Sequence, residues 1–485
     1  MDFYEKLTDP AAFTVFLLTL FLPVLIGVLT VRKMKDQSDF LIGGRGMNKF
    51  VVALSAVSSG RSSWLVLGVS GMAYMMGTGA VWAVAGYIIA EMIQFVTIGR
   101  RLRVEGETYR SLTLLDFFES RFNDRRHLIR LTGAAIITVF ITAYVAAQLN
   151  AGARSLSTAL NIPDLISLLI SAALILVYMI LGGYIAVAYN DVVRALIMIV
   201  GLVLFPAVGL IRIGGLAALL RTLQSLNPAS IDPFSLGAGM IIGFLGIGLG
   251  SPGQPHIVVR YMSIKKADHL RYSAVIGTFW NVVLGWGAVF IGLIGRAVIP
   301  ELSGLPEGDS EMVYLALASQ FFSPVLYGLL LGGIFAAILS TADSQLLVVA
   351  STFSRDIYEK VLRKDRPVSD TAMLRISRRV VFLAGLLALI LAWLAKDLIF
   401  WLVLFAWGGL GASFGSSLIL SLYWKRTTKW GVISGMLTGA IVTILWKLYL
   451  KGSTGLYELI PAFFGALFIN ILVSLLTGDK KNPAQ

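Results

Sequence analysis

The sequence predicts an all-α integral membrane protein of about thirteen transmembrane helices, with a five-plus-five inverted-repeat core containing two broken helices. Three observations carry that prediction. Of the 485 residues, 57% are hydrophobic and 14% charged, with a mean hydropathy of +0.82, whereas an ordinary soluble domain is about 25% charged. Apolar stretches long enough to cross a bilayer recur from Val15 to Ser474, and nothing between them is long enough to fold as a separate aqueous domain. Two of the stretches are interrupted by polar or Gly/Pro-rich runs, and these two lie five spans apart.

Taken in order, a window of about 19 residues marks spans at 11–31, 50–77, 79–99, 131–153, 163–182, 187–211, 236–257, 273–299, 324–350, 380–395, 399–423, 430–449 and 459–477. The first ends in Arg32-Lys33-Met34-Lys35 rather than in small residues, and Met1 to Pro10 carries both Asp and Glu. It therefore reads as a retained span and not as a cleavable signal peptide. The second contains Ser58-Ser59-Gly60-Arg61-Ser62-Ser63 in mid-span, and the seventh contains Gly246-Ile-Gly-Leu-Gly250-Ser251-Pro252-Gly253-Gln254-Pro255. Such runs free backbone groups that lipid cannot satisfy, and they are tolerated where they line a cavity enclosed by protein. With five spans per unit, the second unit begins on the opposite face of the membrane, the pattern of a secondary transporter with a site at the bilayer midplane. The chain then divides into an N-terminal helix and cytoplasmic loop (1–49), a first repeat (50–211), a second repeat (212–423) and two C-terminal helices with a short tail (424–485). The plainer alternative is that each break is a kink packed against a neighbour.

The net charge of +13, from 40 Lys and Arg against 27 Asp and Glu, would raise the question of nucleic acid in a soluble protein. Here the basic residues crowd into short loops. Assigned to alternate sides, 30 fall on one and 8 on the other, with Arg61 and Arg194 inside spans. The rich side is expected to be cytoplasmic, which places the N-terminus outside, the C-terminus inside, and lipid rather than nucleic acid against the protein. The segments Leu112 to Arg121 and Arg355 to Lys364 read as short amphipathic helices lying on the membrane. There is no cysteine, and His127, His256 and His269 make no metal-ligand spacing.

Polar residues inside spans are the functional candidates: Arg61, Glu91, Asp191, Arg194 and the cluster Ser340-Thr341-Ala342-Asp343-Ser344-Gln345. Ala336, Ala337, Ser340, Thr341 and Ser344 recur at helical spacing and make one small, hydroxylated stripe. It can admit a close helix neighbour or offer oxygens to a hard cation. No nucleophile-base pair or metal cluster points to an enzyme, and Gly246-x-Gly248-x-Gly250 lacks the strand-turn-helix context of a dinucleotide loop. A solute sensor would need an output domain, and only Thr477 to Gln485 follows the last span. A secondary active transporter of a small polar solute is the expected function.

Phe40-Leu-Ile-Gly-Gly-Arg45, Ala53-Leu-Ser-Ala56, Gly99-Arg-Arg-Leu-Arg103, Leu114-Leu-Asp-Phe-Phe118, Ala151-Gly-Ala-Arg154, Gly182-Gly183 with Asp191, Gly253-Gln-Pro-His256, Ala336-Ala-Ile-Leu-Ser-Thr341, Ser344-Gln-Leu-Leu347 and Leu456-Tyr-Glu-Leu-Ile-Pro461 run through nearly the whole chain. Together they resemble the sodium/solute symporter family and, within it, the sodium/proline branch. The resemblance implies alternating access, no cofactor, and Na+ as a possible coupling ion. It assigns the ion to the backbone carbonyls of Ser58, Arg61 and Ala337 and the hydroxyls of Ser340 and Thr341. Asp191, Asp343 and Ser344 correspond to a second ion site or exit path in some members. Solute would contact Ser62, Tyr144, Gln148, Phe244, Ile247, Ser251 and Gln254.

Two departures bear on function. The proline branch resembles Ser-Asp-Met-Ser where this chain has Ser59-Gly60-Arg61-Ser62, and aromatic residues expected near the seventh span are replaced by Ile247 and Ser251. A guanidinium about 5 Å from the ion, at an effective dielectric of about 20, opposes its binding by roughly 3 kcal/mol. Three consequences stay open. Arg61 turns away and is neutralised by Glu91, Asp191 or Asp343; or it stands in for the ion, leaving weak or no sodium dependence and proton-coupled or exchange transport; or it clamps a substrate carboxylate.

Overall fold

A computed structural model describes residues 6–31, 36–179, 183–363, 368–395 and 397–478. The basic stretch Arg32 to Lys35, Gly182 and the Lys480-Lys481 tail lie outside the described residues. Helix occupies all thirteen expected positions. Among the described residues, nine helices are long and apolar enough to cross a membrane, and the shorter apolar helices Pro10–Pro23, Lys49–Gly60, Asp164–Leu176 and Ala238–Gly253 complete the set. The chain is an all-helical, multi-pass membrane protein built on a five-plus-five inverted repeat with two broken helices.

Both breaks fall where the polar and Gly/Pro runs stand. In the second span, Asn48 caps Lys49–Gly60 by accepting from the N–H groups of Phe50 and Val51, and the helix stops at Arg61 (φ −105°, ψ 29°). It resumes as a wide turn over Trp64–Val69 and continues through Ser70–Met76. Gly60 is required by close approach: a Cβ there would run into the hydroxyl of Tyr87 and come within 3.2 Å of Ile257. In the seventh span, Ala238–Leu245 tightens over Gly246–Gly253, Gln254 is extended, and a new helix, Pro255–Ser263, opens on a proline whose missing N–H has no partner to lose. A Cβ on Gly253 would meet the backbone of Leu410 and Gly411. The broken seventh span thus lies backbone to backbone on the eleventh.

Four expectations are corrected. Within the segment Arg355 to Lys364, whose last residue lies outside the described residues, there is no separate helix on the membrane surface over 355–363: the ninth span stays helical from Pro324 to Leu362, and Thr352, Ser354, Arg355 and Asp356 are buried. The reason is that Arg355 and Asp356 find partners inside the protein, on Asp116 and Arg130. The segment after Leu112 is helical over Leu114–Phe122, but Leu114, Leu115, Phe117 and Phe118 are buried by protein rather than presented to lipid. Arg260, which lies past the expected end of the seventh span at 257 and so counts among the loop residues on the basic side, is carried inward by Pro255–Ser263 and is fully buried. The tenth span also begins earlier, at Asp370.

Candidate ion and solute site

The break after Gly60 brings carbonyls at the end of the Lys49–Gly60 helix against the hydroxylated stripe of the ninth span. Ser340 Oγ lies 3.0 Å from the carbonyl oxygens of both Ser58 and Ala337, and its single proton can be donated to only one of them at a time. Thr341 Oγ1 donates to the carbonyl of Ser59 at 2.9 Å. Ser58, Ala337, Ser340 and Thr341 are all fully buried. They form a set of neutral oxygen donors at unwound helix, the chemistry that holds Na+ in broken-helix transporters, and these residues fit that ion. The stripe also brings the ninth span into direct hydrogen-bonding contact with the second. Arg61 enters the group through its N–H, which donates to the Ser58 carbonyl at 3.3 Å.

The Arg61 side chain leaves these oxygens and turns toward the third and eighth spans. Its Nη2 is 3.2 Å from Glu91 Oε2, and its guanidinium lies 3.2 Å above the Tyr87 ring centroid. Asn281 Nδ2 donates to the same Glu91 oxygen. Of the three carboxylates expected to neutralise Arg61, the fold selects Glu91. In this arrangement the guanidinium is paired away from the Ser58 and Ala337 carbonyls, which share the Ser340 hydroxyl. An opposite charge at 3.2 Å replaces the long-range field of a lone cation by that of a dipole, removing most of the roughly 3 kcal/mol penalty at the oxygens.

Beside the ion site lies a second polar cluster. Asp191 Oδ2 accepts from Ser55 Oγ at 2.7 Å, Ser59 Oγ at 3.0 Å and Arg260 Nη2 at 3.1 Å. Arg260 also donates to Ser55 Oγ at 3.1 Å, to the Ser344 hydroxyl and to the His256 carbonyl. Arg194 pairs with Asp343 at 2.6 Å and lies 3.9 Å from Asp191. Ser59 and Ser344 are 3.0 Å apart through their hydroxyls. Asp191, Asp343 and Ser344 do come together, but around two guanidinium groups that balance the two carboxylates.

The seven residues assigned to solute divide between the breaks. At the second-span break, Gln148 Oε1 accepts from the N–H and hydroxyl of Ser63, at 3.2 and 3.0 Å. Tyr144 hydrogen-bonds Ser62 and meets His256 edge to face. At the seventh-span break, Phe244 packs edge-on to Phe400, the carbonyl of Ile247 accepts from the Trp407 indole at 2.8 Å, and that of Ser251 accepts from Gln94. Gln254 Nε2 donates to the carbonyls of Gly250 and Trp407 at 3.1 and 2.9 Å. A layer of aromatic rings connects the halves, with Trp64 on Phe400 and Tyr87 on Trp407. All seven are at most 2% exposed.

Sequence reasoning missed Arg260, Asn281, Tyr87 and Trp407. Asn281 had a usable signal, a lone amide in mid-span, and so did Arg260, the single charge within the run Pro255 to Ser263. The two aromatic residues had none, because rings are ordinary in apolar spans.

Charged contacts close both ends. On the side of the loop before the ninth span, Glu311 accepts from the N–H groups of Ile399 and Phe400, both at 2.7 Å. Burial, with Asp309 adding to it, pushes the Glu311 carboxyl up to about 7. At the other end, Asp116 accepts from Arg355 at 2.8 Å and Arg130 at 2.9 Å, and Arg130 also bonds Asp356.

The family model of the sodium:solute symporter family matches residues 40–439. The osmoregulated proline transporter OpuE of Bacillus subtilis (strain 168) is 36% identical over 466 residues, covering 95% of this chain and 93% of that protein. The sodium/proline symporter of Escherichia coli (strain K12) is 35% identical over 468 residues, covering 95% and 92%. Among solved structures, a Na+-coupled sialic acid symporter in a substrate-bound outward-open state matches with a TM-score of 0.80 at 18% identity, over 96% of this chain and 98% of that one. A nucleobase-cation-symport-1 transporter in a closed conformation matches at 0.53 and 14%, over 93% and 98%; at these identities the likeness is one of fold. With matched breaks five spans apart and a transporter's architecture from end to end, the chain belongs to the sodium:solute symporter family and is a membrane transporter, not an enzyme.

Proposed function

We propose that the protein imports a small zwitterionic, proline-related solute together with Na+. The observation that carries this reading is the meeting of Ser340 with the carbonyls of Ser58 and Ala337 while the charge of Arg61 is spent on Glu91. Na+ would be held by the carbonyls of Ser58, Arg61 and Ala337 and the hydroxyls of Ser340 and Thr341, and would supply the positive charge that fastens the second span to the ninth. Solute would contact Ser62, Tyr144, Gln148, Phe244, Ile247, Ser251 and Gln254. Coupling follows from adjacency, because the break that presents carbonyls to the ion also presents Ser62 and Ser63 to Tyr144 and Gln148. A single ion is favoured: Arg260 already contacts Asp191 and Ser344, where a second cation would sit. The repeats span 50–211 and 212–423, with the N-terminus outside and the C-terminus in the cytoplasm, as the basic loops support.

The test is uptake of labelled L-proline into proteoliposomes against sodium concentration at constant ionic strength, with any proton gradient collapsed. Saturable stimulation by sodium is expected. Uptake that ignores sodium would overturn the reading and favour the alternative in which Arg61 stands in for the ion.

A further inference from the structure

We propose that the Arg61–Glu91 pair is the receptor for both charged ends of a zwitterionic solute, Arg61 Nη1 taking the carboxylate and Glu91 Oε1 the ammonium. The inference deepens the reading above and rests on it for the solute's place in the fold. The pair lies at the second-span break, adjoining Ser62, and its side chains are 2% and 0% exposed.

Much of its hydrogen-bonding capacity is unused. Arg61 Nη2 and Glu91 Oε2 are spent on each other, and Asn281 adds a second donor to that same oxygen. Arg61 Nη1 and Glu91 Oε1 are buried with no hydrogen-bond partner, as are the Tyr87 hydroxyl and Trp64 Nε1 beside them. A buried ion pair serving only stability satisfies its remaining lone pairs and protons within the protein, since an unmet charged donor or acceptor forfeits the hydrogen bond that water would have given it. Here a guanidinium nitrogen and a carboxylate oxygen are left over together, the complement of a carboxylate and an ammonium joined through one carbon.

Charge balance points the same way. The pair is itself neutral, so a zwitterion bound to it adds no net charge, whereas a simple anion or cation would meet one member of the pair and leave its own charge uncompensated by the other. Tyr87, under the guanidinium, with Trp64 and Trp407 packed on it, makes the surroundings of the pair aromatic and apolar, which suits a solute with a carbon skeleton between its charged ends.

The test is equilibrium binding to purified full-length protein in saturating sodium. The probes are L-proline, L-proline methyl ester, which lacks the carboxylate, and tetrahydrofuran-2-carboxylate, which lacks the nitrogen, with L-alanine and glycine betaine as further zwitterions. The wild type should bind one of the zwitterions, and with proline should show at least about a tenfold preference over each analogue, the size of one charge-assisted hydrogen bond. Arg61→Met with Glu91→Gln removes both charges and leaves neither unpaired; the preference should vanish in it, while Arg61→Lys retains part. Analogues that bind the wild type within about twofold of proline would overturn the inference with no variant needed, as would a double variant that keeps the full preference. A wild type that binds none of the zwitterions also overturns it. Sodium-induced thermal stabilisation of the wild type is read separately, so that its absence counts against the sodium reading and not against the pair.

Discussion

Arg260 and Asp191 meet at 3.1 Å with neither side chain exposed to solvent, and the contact ties the second half of the broken seventh span to the sixth. Ser55 and Ser59 of the second span donate to the same Asp191 oxygen. Three spans that must change their relation during alternating access are thus held at one carboxylate.

Asp191→Asn is expected to destabilise the protein by about 3 kcal/mol, because it leaves the Arg260 guanidinium buried without its counter-charge. Combining it with Arg260→Met should recover most of that loss, since both charges then disappear. Thermal unfolding of the two variants in detergent measures it. Turnover in Asp191→Asn should fall by roughly tenfold or more with solute affinity within about threefold of wild type, and unaltered turnover would reduce Asp191 to a structural anchor.

The spans and both breaks were legible because hydropathy and backbone chemistry are local. The meeting of Ser340 with Ser58 was legible through resemblance. What escaped were charges satisfied by protein. A hydropathy window scores Arg260, Arg355 and Asp356 against lipid and ends the span at them, yet the fold buries all three against opposite charges. The choice of Glu91 for Arg61, over Asp191 or Asp343, depends on the azimuths of separate helices, which no spacing in the chain encodes.

Ser340→Ala deletes the hydroxyl shared by the Ser58 and Ala337 carbonyls. A hydrogen-bonding group aimed at a charge contributes about 1.5–3 kcal/mol, so the sodium concentration for half-maximal uptake should rise by roughly ten- to a hundredfold. Maximal uptake at saturating sodium should fall much less. An unchanged sodium dependence would remove Ser340 from the ligand set.

Asp116 offers a pH test at the other end of the bundle. Burial by itself would raise its carboxyl, but Arg355 and Arg130, with the N–H of Leu112, hold it below the ordinary value of 3.8. A depressed folded value means that its stabilisation is present above pH 3.8 and is lost as pH falls through the lower folded value. The melting temperature of Asp116→Asn should therefore lie well below wild type at pH 7, and the gap should close in strong acid. A gap independent of pH would show that the ionised carboxylate is not what matters.

Glu311 has the opposite sign. Burial and Asp309 raise its carboxyl from 4.5 to about 7, against the lowering effect of the Phe400 and Ile399 N–H groups and Arg154. Between those values the folded protein holds a proton that the unfolded chain has released, so this group makes stability fall as pH rises. At about 1.4 kcal/mol per pH unit the loss amounts to roughly 3 kcal/mol from pH 4.5 to 7, and it levels off above. Glu311→Gln cannot titrate and should erase that slope. It keeps one carbonyl oxygen for the two N–H groups that now contact separate oxygens at 2.7 Å, so some stability is lost at every pH. Thermal unfolding of wild type and Glu311→Gln across pH 4.5 to 8 measures the difference. Parallel curves would show that Glu311 stays ionised throughout, its two backbone hydrogen bonds outweighing burial.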